Sequence, residues 1–318
     1  MSKEEPEDAM AMSRMRRAIG ISRVRLAVQF ASFLLLNGVL FGLGPWPLLL
    51  PVLGTLGVPV KTVGEALGSL QWMLYQPVFP WLALASFFLV AALFGRALCA
   101  WVCPFGFVQD LLRYVKKKHT QVSLRTHEWM INIKYAILAV VLFISATIYI
   151  ALAMGVGEGY KASLGVFGPA PFNALSPADT LFAILPRLTL DARYATPLLQ
   201  GETGGIAGII LSVSPLLWAR LIILGIIIVV AIQVPRSWCR YLCPQGALMA
   251  VLNRFSFLGL KRNPLKCTKA SCNACVEVCP MKVPILDLPW EKFTHPECIY
   301  CLKCVEACST EAISPKFP

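Results

Sequence analysis

The chain has 318 residues, of which 57% are apolar and only 14% are charged. Soluble domains carry about 25% charged residues, so the composition excludes an ordinary water-soluble protein and predicts a membrane protein. The net charge of +12 does not indicate nucleic-acid binding, because the basic residues lie in blocks beside long uncharged stretches.

Four long apolar stretches predict four transmembrane helices, since about 18 or more residues with few charges are the signature of a membrane-crossing helix. We place these helices at roughly 26–43, 79–98, 134–154 and 215–234. Residues 1–25 form a basic cytoplasmic segment before the first helix. No small-residue cleavage site follows the first apolar stretch, so an uncleaved signal anchor fits better than a cleavable signal peptide.

The distribution of basic residues predicts the topology, because lysine and arginine are in excess on the cytoplasmic side of membrane proteins. Basic residues crowd the segments before the first helix, between the second and third, and after the fourth. The two loops on the opposite side contain only four basic residues, Lys61, Lys161, Arg187 and Arg193. The pattern predicts a multi-pass protein of the cell (inner) membrane, embedded in the lipid bilayer, with both termini cytoplasmic.

One sequence pattern, R-x-x-C-x-aromatic-x-C-P-x-G, occurs twice, starting at Arg96 and at Arg236. Each copy closes an apolar stretch and is followed by an amphipathic stretch, at 107–118 and at 247–260. Residues 26–262 are therefore predicted to form a four-helix membrane domain of two hairpins related by duplication and sharing one orientation.

The repeated cysteines are a candidate redox or metal site. Residues at i and i+4 share one helix face, and the following proline ends or kinks the helix. The cysteines concerned are Cys99, Cys103, Cys239 and Cys243. Four converging thiols could bind a cluster or a soft metal ion, or act as redox dithiols. Cysteine is also an ordinary small apolar residue in helix packing, and both interpretations stay open.

Residues 263–318 differ from the rest of the chain, because they contain eight of the twelve cysteines. The cysteines form two runs, Cys267-x4-Cys272-x2-Cys275-x3-Cys279-Pro280 and Cys298-x2-Cys301-x2-Cys304-x3-Cys308. This spacing is typical of bacterial ferredoxins with two [4Fe–4S] clusters, in which the fourth cysteine of each run ligates the other cluster. The first run departs from that pattern by two extra residues in its opening gap.

Cross-ligation predicts the two sets of ligands. One set is Cys267, Cys272, Cys275 and Cys308; the other is Cys298, Cys301, Cys304 and Cys279. Structural zinc favours well-separated C-x2-C pairs, and disulfides are rare in the cytoplasm, so both are weaker interpretations. The histidines lie outside the apolar stretches and C-x-x-C-H is absent from the sequence, so there is no haem signature.

The predicted fold is thus an all-α polytopic membrane protein with a C-terminal α+β domain of the bacterial 2[4Fe–4S] ferredoxin type. In the apolar stretches, the duplicated C-x3-C-P motif and the two cysteine runs, the chain resembles the NapH/MauN family of ferredoxin-type membrane proteins. The resemblance implies electron transfer from membrane quinol through the clusters to a partner redox protein or reductase complex. It would make the chain a quinol dehydrogenase subunit acting within a complex.

Two other functions stay open at this point. The chain could be a cluster-dependent copper reductase or an assembly factor for a metalloenzyme, with the four repeated cysteines binding the soft ion. It could also be a membrane anchor or redox sensor without enzymatic activity. The sequence does not identify catalytic residues.

Overall fold

The computed structural model describes residues 20–37, 66–76, 78–116, 119–120, 122–169, 171–186, 215–268 and 272–317. The chain divides into two compact units. The first unit draws on Met1–Phe33, Leu89–Phe107 and Leu248–Pro318, and the second on Leu34–Phe88 and Val108–Ala247. Each unit therefore contains one pair of the repeated cysteines.

The described helices, in chain order, are α1 Ile21–Leu36, α2 Ala66–Tyr75, α3 Trp81–Phe94, α4 Ala97–Trp101, α5 Pro104–Leu112, α6 Leu124–Ala153, α7 Gly157–Leu164, α8 Pro177–Asp179, α9 Pro215–Gln233, α10 Pro244–Leu252, α11 Ala274–Glu277 and α12 Lys303–Glu306. Turns of π-helix span Thr180–Ile184 and Trp238–Leu242. Two strands, β1 Gly259–Arg262 and β2 Ile313–Lys316, form a small sheet.

Within the described ranges, α6 and α9 are long and apolar enough to cross a membrane. Helix α9 coincides with the fourth predicted span. Helix α6 begins well before the third predicted span, where Ser123 caps it by accepting a hydrogen bond from the Thr126 N–H. Both helices expose most of their surface, as a lipid-facing helix does.

The other two predicted spans are unconfirmed. Helix α3 has 14 residues, because the chain turns at Gly95, whose φ is 56°, inside the predicted second span. Helix α1 covers only the first part of the predicted first span, and residues 38–65 lie outside the described part of the chain. The four-helix arrangement and its paired hairpins stay predictions.

The core of the second unit is built around α6, which packs against α2, α7 and the π-turn Trp238–Leu242. One face of α6 is buried along its length, with residues spaced three, four or seven apart. The buried residues on this face include His127, Lys134, Leu138, Val141, Ser145 and Ile148. Polar side chains such as His127 and Lys134 are thus buried among apolar ones on this face. The first of them, His127, contacts Arg240 of the second cysteine repeat.

The C-terminal cysteine-rich domain belongs to the first unit and has an α+β fold, as predicted. Strand β1 pairs antiparallel with β2, so that Gly259 faces Lys316 and Arg262 faces Ile313. Strand β1 thus lies just before the first cysteine run and pairs with the strand that follows the second run, and the boundary at residue 263 stays a prediction. The small apolar core includes Leu260, Met281, Val283, Ile285, Ile299 and Ile313.

Candidate cluster site and cysteine repeats

The second predicted set of ligands surrounds one cavity in the C-terminal domain. The cysteines that line this cavity are Cys279, Cys298, Cys301 and Cys304. Three of them come from the second run, and Cys279 comes from the end of the first. Their apolar neighbours include Leu260, Met281 and Ile299. Among the described residues, no group of three or more Cys, His, Asp or Glu side chains is gathered as a single metal ion requires.

The electrostatics of this cavity disfavour thiolates without a bound cation. Burial raises the pKa of the Cys298 thiol, and the charges of Cys279 and Cys301 raise it further. Burial also raises the pKa of Cys304, with Cys301, Cys298 and Cys279 adding to the effect. Four thiols that repel one another as thiolates in an apolar pocket need a positively charged iron–sulfur core between them. The donor set and its surroundings fit a [4Fe–4S] cluster.

Three cysteines of the first predicted set are also electrostatic neighbours. Burial is the main cause that raises the pKa of Cys275, and the charges of Cys267 and Cys272 contribute to it. Helix α11, which carries Cys275, packs against α12, which carries Cys304. The two ligand sets therefore lie next to each other within one small domain.

The fourth member of the first set, Cys308, is connected to Cys267 by backbone hydrogen bonds. The Ala312 N–H donates to Cys308 Sγ at 3.3 Å, and the Asn263 N–H donates to the Ala312 carbonyl at 2.8 Å. The Cys267 N–H in turn donates to the Asn263 carbonyl at 3.1 Å. Burial opposes ionisation of Cys308, but hydrogen bonds from the Thr310 hydroxyl and from Ala312 lower its pKa overall.

The two runs end in the same local structure. Three residues after the fourth cysteine of each run, Lys282 and Glu311 adopt positive φ angles of 54° and 51°. The next N–H then donates to the cysteine sulfur, from Val283 to Cys279 at 3.4 Å and from Ala312 to Cys308 at 3.3 Å. Left-handed backbone is uncommon outside glycine, so its recurrence marks a structure that both runs require. Such N–H donors stabilise a ligating thiolate.

The first cysteine repeat packs directly on this domain within the first unit. Ala100 is completely buried in the same apolar core as Cys301 and Cys304, and Cys99 packs against that core. The Trp101 indole donates to the Tyr300 carbonyl at 3.0 Å, in the loop between Cys298 and Cys301. No local sequence pattern predicts this contact, because the two segments are about 200 residues apart.

The second repeat, in the second unit, has both of its sulfurs hydrogen bonded. The Gln109 side chain donates to Cys239 Sγ at 3.0 Å and accepts from the Trp238 N–H at 3.2 Å. The Gly246 N–H donates to Cys243 Sγ at 3.3 Å. N–H donors favour the thiolate form, which is the form that binds metals.

The two repeats share backbone hydrogen bonds at matching positions. Cys103 and Cys243 each donate their N–H to the carbonyl five residues earlier, at 3.0 and 2.9 Å. Each also accepts at its carbonyl the N–H four residues later, from Phe107 and from Ala247. Each second cysteine thus precedes the first turn of α5 or α10, with a proline as the first helical residue.

The prediction that each pair lies on one face of a single helix is therefore wrong. The first residue of a helix needs no N–H donor, so proline, which has none, is tolerated there. Its fixed φ also suits that position. Pro104 and Pro244 consequently start new helices, and the chain bends at each second cysteine. Whether the two pairs converge stays a prediction, since they belong to different units.

Sequence reasoning missed a buried polar cluster beside the second repeat. Nδ1 of His127 lies 2.9 Å from Nη2 of Arg240 and 3.0 Å from the hydroxyl of Tyr241. All three side chains are buried. Arginine can only donate, so Nδ1 must accept and the neutral ring carries its proton on Nε2. A single histidine just before an apolar stretch has no periodic pattern that would have revealed it.

Comparison with known protein families supports the iron–sulfur assignment. A family model described as a 4Fe-4S binding domain matches residues 77–121 and 216–263. The ferredoxin-type protein NapH of Escherichia coli is 23% identical over 233 residues, and the methylamine utilization ferredoxin-type protein MauN of Methylobacillus flagellatus is 25% identical over 226 residues. Each alignment covers 70% of this chain. These relatives and the family model together support a relationship to the NapH/MauN-like ferredoxin-type proteins.

Another relative of this NapH/MauN-like chain is YccM of Escherichia coli, named as an electron transport protein, with 25% identity over 263 residues and 81% of this chain. The chain spans 60% of the length of YccM, 63% of NapH and 62% of MauN. No solved structure matches the chain.

The family model matches twice, and each matched segment contains one C-x3-C-P motif. Both matches end before the first cysteine of the C-terminal runs. In this NapH/MauN-like protein the 4Fe-4S description thus falls on the two repeats, whereas the C-terminal runs lie outside the matched residues.

Proposed function

We propose that the chain is an electron carrier of the cell membrane that takes electrons from quinol and passes them through two [4Fe–4S] clusters to a partner redox protein. The observation that carries this proposal is the assembly of Cys279, from the first run, with Cys298, Cys301 and Cys304 around one cavity. Cross-ligation of this kind is the signature of a two-cluster ferredoxin.

Two bound clusters would match the electron count of the donor. A quinol releases two electrons and two protons, and each cluster, when bound, accepts one electron. Cys267, Cys272, Cys275 and Cys308 would hold one cluster, and the cavity cysteines the other. The short backbone hydrogen-bond path between Cys308 and Cys267 supports the first of these sets.

The membrane location explains access to quinol. Helices α6 and α9 have the length and composition of membrane spans, and the basic residues favour a cytoplasmic position for both termini. We propose a multi-pass protein whose ferredoxin domain lies on the cytoplasmic side. A partner redox protein completes the electron path, and the relative MauN is named for a role in methylamine utilization.

The repeated cysteines support a second candidate function. Both sulfurs of Cys239 and Cys243 accept N–H hydrogen bonds, which prepares them as thiolates for a soft ion such as copper(I) or for a further cluster. In a copper reductase or assembly factor, electrons from the ferredoxin domain would reduce an ion held by Cys99, Cys103, Cys239 and Cys243. The observations favour the quinol carrier, because the family model describes these segments as binding 4Fe–4S.

Anaerobic purification in lipid nanodiscs followed by iron and sulfide analysis tests the proposal. About eight irons and eight sulfides per chain are expected for two cubanes, and more if the repeats hold a further cluster. A quinol analogue should then reduce the clusters and bleach their visible absorption. Cys301→Ala, which removes one cavity ligand, is the matched control and should bleach less.

The same preparation separates the alternatives. Reoxidation of dithionite-reduced protein by copper(II), lost in Cys239→Ser, would support the copper reductase instead. Clusters that respond to neither quinol nor copper would support a membrane anchor or sensor. Zinc in place of iron would overturn all three.

A further inference from the structure

The two repeats place an arginine at the same position, but the two arginines have different partners. Arg96 and Arg236 are both completely buried. Arg236 forms two hydrogen bonds with Asp110, inside the second unit. Arg96 pairs with Glu297, inside the first unit, at 3.0 Å. The first arginine is thus held by the ferredoxin domain, and the sequence repeat does not predict this difference.

Arg96 is anchored to the segment that carries Cys298. Its Nη1 donates to the Glu297 carboxylate at 3.0 Å and to the Pro296 carbonyl at 2.9 Å. These two residues immediately precede Cys298 in the chain. The guanidinium therefore lies beside the backbone that presents the first cavity cysteine.

Asn253 holds the backbone at the same place. Its Oδ1 accepts the Arg96 N–H at 3.1 Å. Its Nδ2 donates to the carbonyls of His295 at 2.6 Å and of Cys298 at 3.1 Å. A single buried side chain thus fixes Arg96 relative to the cysteine loop, so the distance between the guanidinium and the cavity is set by the fold.

The guanidinium acts on the cavity through a medium of low polarity. Pro296 and Glu297, to which it donates, immediately precede Cys298, which lines the cavity. The side chains around the cavity are mainly apolar, and a charge acts more strongly there than in water. The Arg96 charge therefore acts on the cavity, and its pair with Glu297 tempers the effect.

We propose that Arg96 is a positioning residue that raises the reduction potential of the cluster held by Cys279, Cys298, Cys301 and Cys304. Reduction adds one negative charge to a cluster, and a fixed neighbouring cation stabilises that charge. Trp101 of the first cysteine repeat donates to the Tyr300 carbonyl, so this repeat contacts the loop between Cys298 and Cys301. This inference rests on the proposed two-cluster function.

Redox titration of the full-length protein in nanodiscs, followed by electron paramagnetic resonance, tests the inference. Cys301→Ser and Cys272→Ser assign the two cluster signals. Arg96→Gln should lower the equilibrium constant for reduction of the cavity cluster at least tenfold, equal to about 59 mV for a one-electron couple. The other cluster should shift less. Arg96→Lys, which keeps the charge, should restore most of the potential.

Glu297→Gln is an independent variant that should raise the reduction potential of the cavity cluster, because it removes the negative charge beside that cluster. Arg236→Lys is the matched control from the other repeat and should leave both potentials unchanged. If Arg96→Gln does not retain iron, the potentials of Glu297→Gln and Arg96→Lys decide whether the inference holds.

Three outcomes would overturn the inference: unchanged potentials in Arg96→Gln and Glu297→Gln, equal shifts of both clusters, or shifts of the same sign in the two variants. A parent protein without iron and sulfide would instead overturn the proposed function from which the inference starts. Iron analysis of every variant therefore tells the two failures apart.

Discussion

Arg236 donates hydrogen bonds from Nε and Nη2 to the two carboxylate oxygens of Asp110, at 2.9 and 2.6 Å, with both side chains buried. The arginine belongs to the second cysteine repeat, and the aspartate to the helix that follows the first. A bidentate pair of this kind fixes distance and orientation together. The amphipathic helix of one repeat thus holds the cysteine segment of the other, since the neighbouring Gln109 contacts Cys239.

Removal of one partner from this pair should destabilise the second unit strongly. Asp110→Asn leaves the buried Arg236 charge uncompensated, and the expected cost is about 3–5 kcal/mol. The midpoint of thermal unfolding in detergent measures the change. Glu158→Gln is the control, because Glu158 is exposed and pairs with Lys161 at 3.3 Å, and such surface pairs contribute about 0–1 kcal/mol. Equal midpoints for the two variants would contradict the prediction.

Gly95→Ala should disrupt the contact between the first repeat and the ferredoxin domain. Gly95 has a φ of 56°, and an added Cβ would lie 1.9 Å from Oδ1 of Asn253 and 2.9 Å from the Tyr300 ring. We expect a lower iron content and faster loss of the visible cluster absorption in air. Gly225→Ala, in α9, is the control, because among the described residues no atom beyond its chain neighbours and its own helix backbone lies within 4 Å of the added Cβ. A Gly95→Ala protein with full iron content would show that the loop can move aside.

Cross-ligation predicts which cysteine variants share a spectroscopic phenotype. Cys279→Ser should alter the same electron paramagnetic resonance signal as Cys301→Ser, because both line one cavity. Cys308→Ser should alter the same signal as Cys272→Ser. Spectra of the dithionite-reduced variants measure this directly. If Cys279→Ser and Cys272→Ser affected the same signal, each run would hold its own cluster.

His127→Ala removes the nitrogen that faces both Arg240 and Tyr241. Loss of a buried hydrogen-bond partner costs about 1–3 kcal/mol, and a lower unfolding midpoint of that size is expected. His119→Ala is the control, since the His119 ring lies 3.3 Å from the Ile232 carbonyl at a partly exposed position. A similar small effect of both substitutions would argue that the contacts of His127 with Arg240 and Tyr241 do not stabilise the second unit.

Removal of iron should unfold the C-terminal domain but not α9. The domain has a small apolar core and a two-stranded sheet, and a segment of about 55 residues depends on its metal centres for stability. After cluster destruction by ferricyanide and a chelator, trypsin should cleave at Lys282 and Lys303 while leaving Pro215–Gln233 intact. Mass spectrometry of timed digests measures this. Equal protection before and after iron removal would contradict the prediction.

Sequence patterns predicted the cysteine chemistry because it depends on local spacing. The runs at Cys267–Cys279 and Cys298–Cys308 required no tertiary information, and the same holds for the repeat of Cys99-x3-Cys103-Pro104. The helix at Pro215–Gln233 was also predictable, because a long apolar stretch is sufficient to specify it. The family resemblance rested on the same motifs.

Local rules failed where two helical signals competed. The i, i+4 spacing predicted one helix for each cysteine pair, but proline at the next position starts a new helix. Gly95 likewise ends α3 inside an apolar stretch that hydropathy alone would continue. Strand β1 had no local signal either, because its partner β2 lies more than 50 positions later in the chain.

By itself, the sequence determined the composition of a membrane protein, the two cysteine runs and the duplicated motif, because each is written in neighbouring residues. Only the tertiary structure decided that Arg96 pairs with Glu297 while Arg236 pairs with Asp110, and that His127 is buried against Arg240. Those contacts join residues more than 100 positions apart, and buried charges choose partners by geometry rather than by distance along the chain.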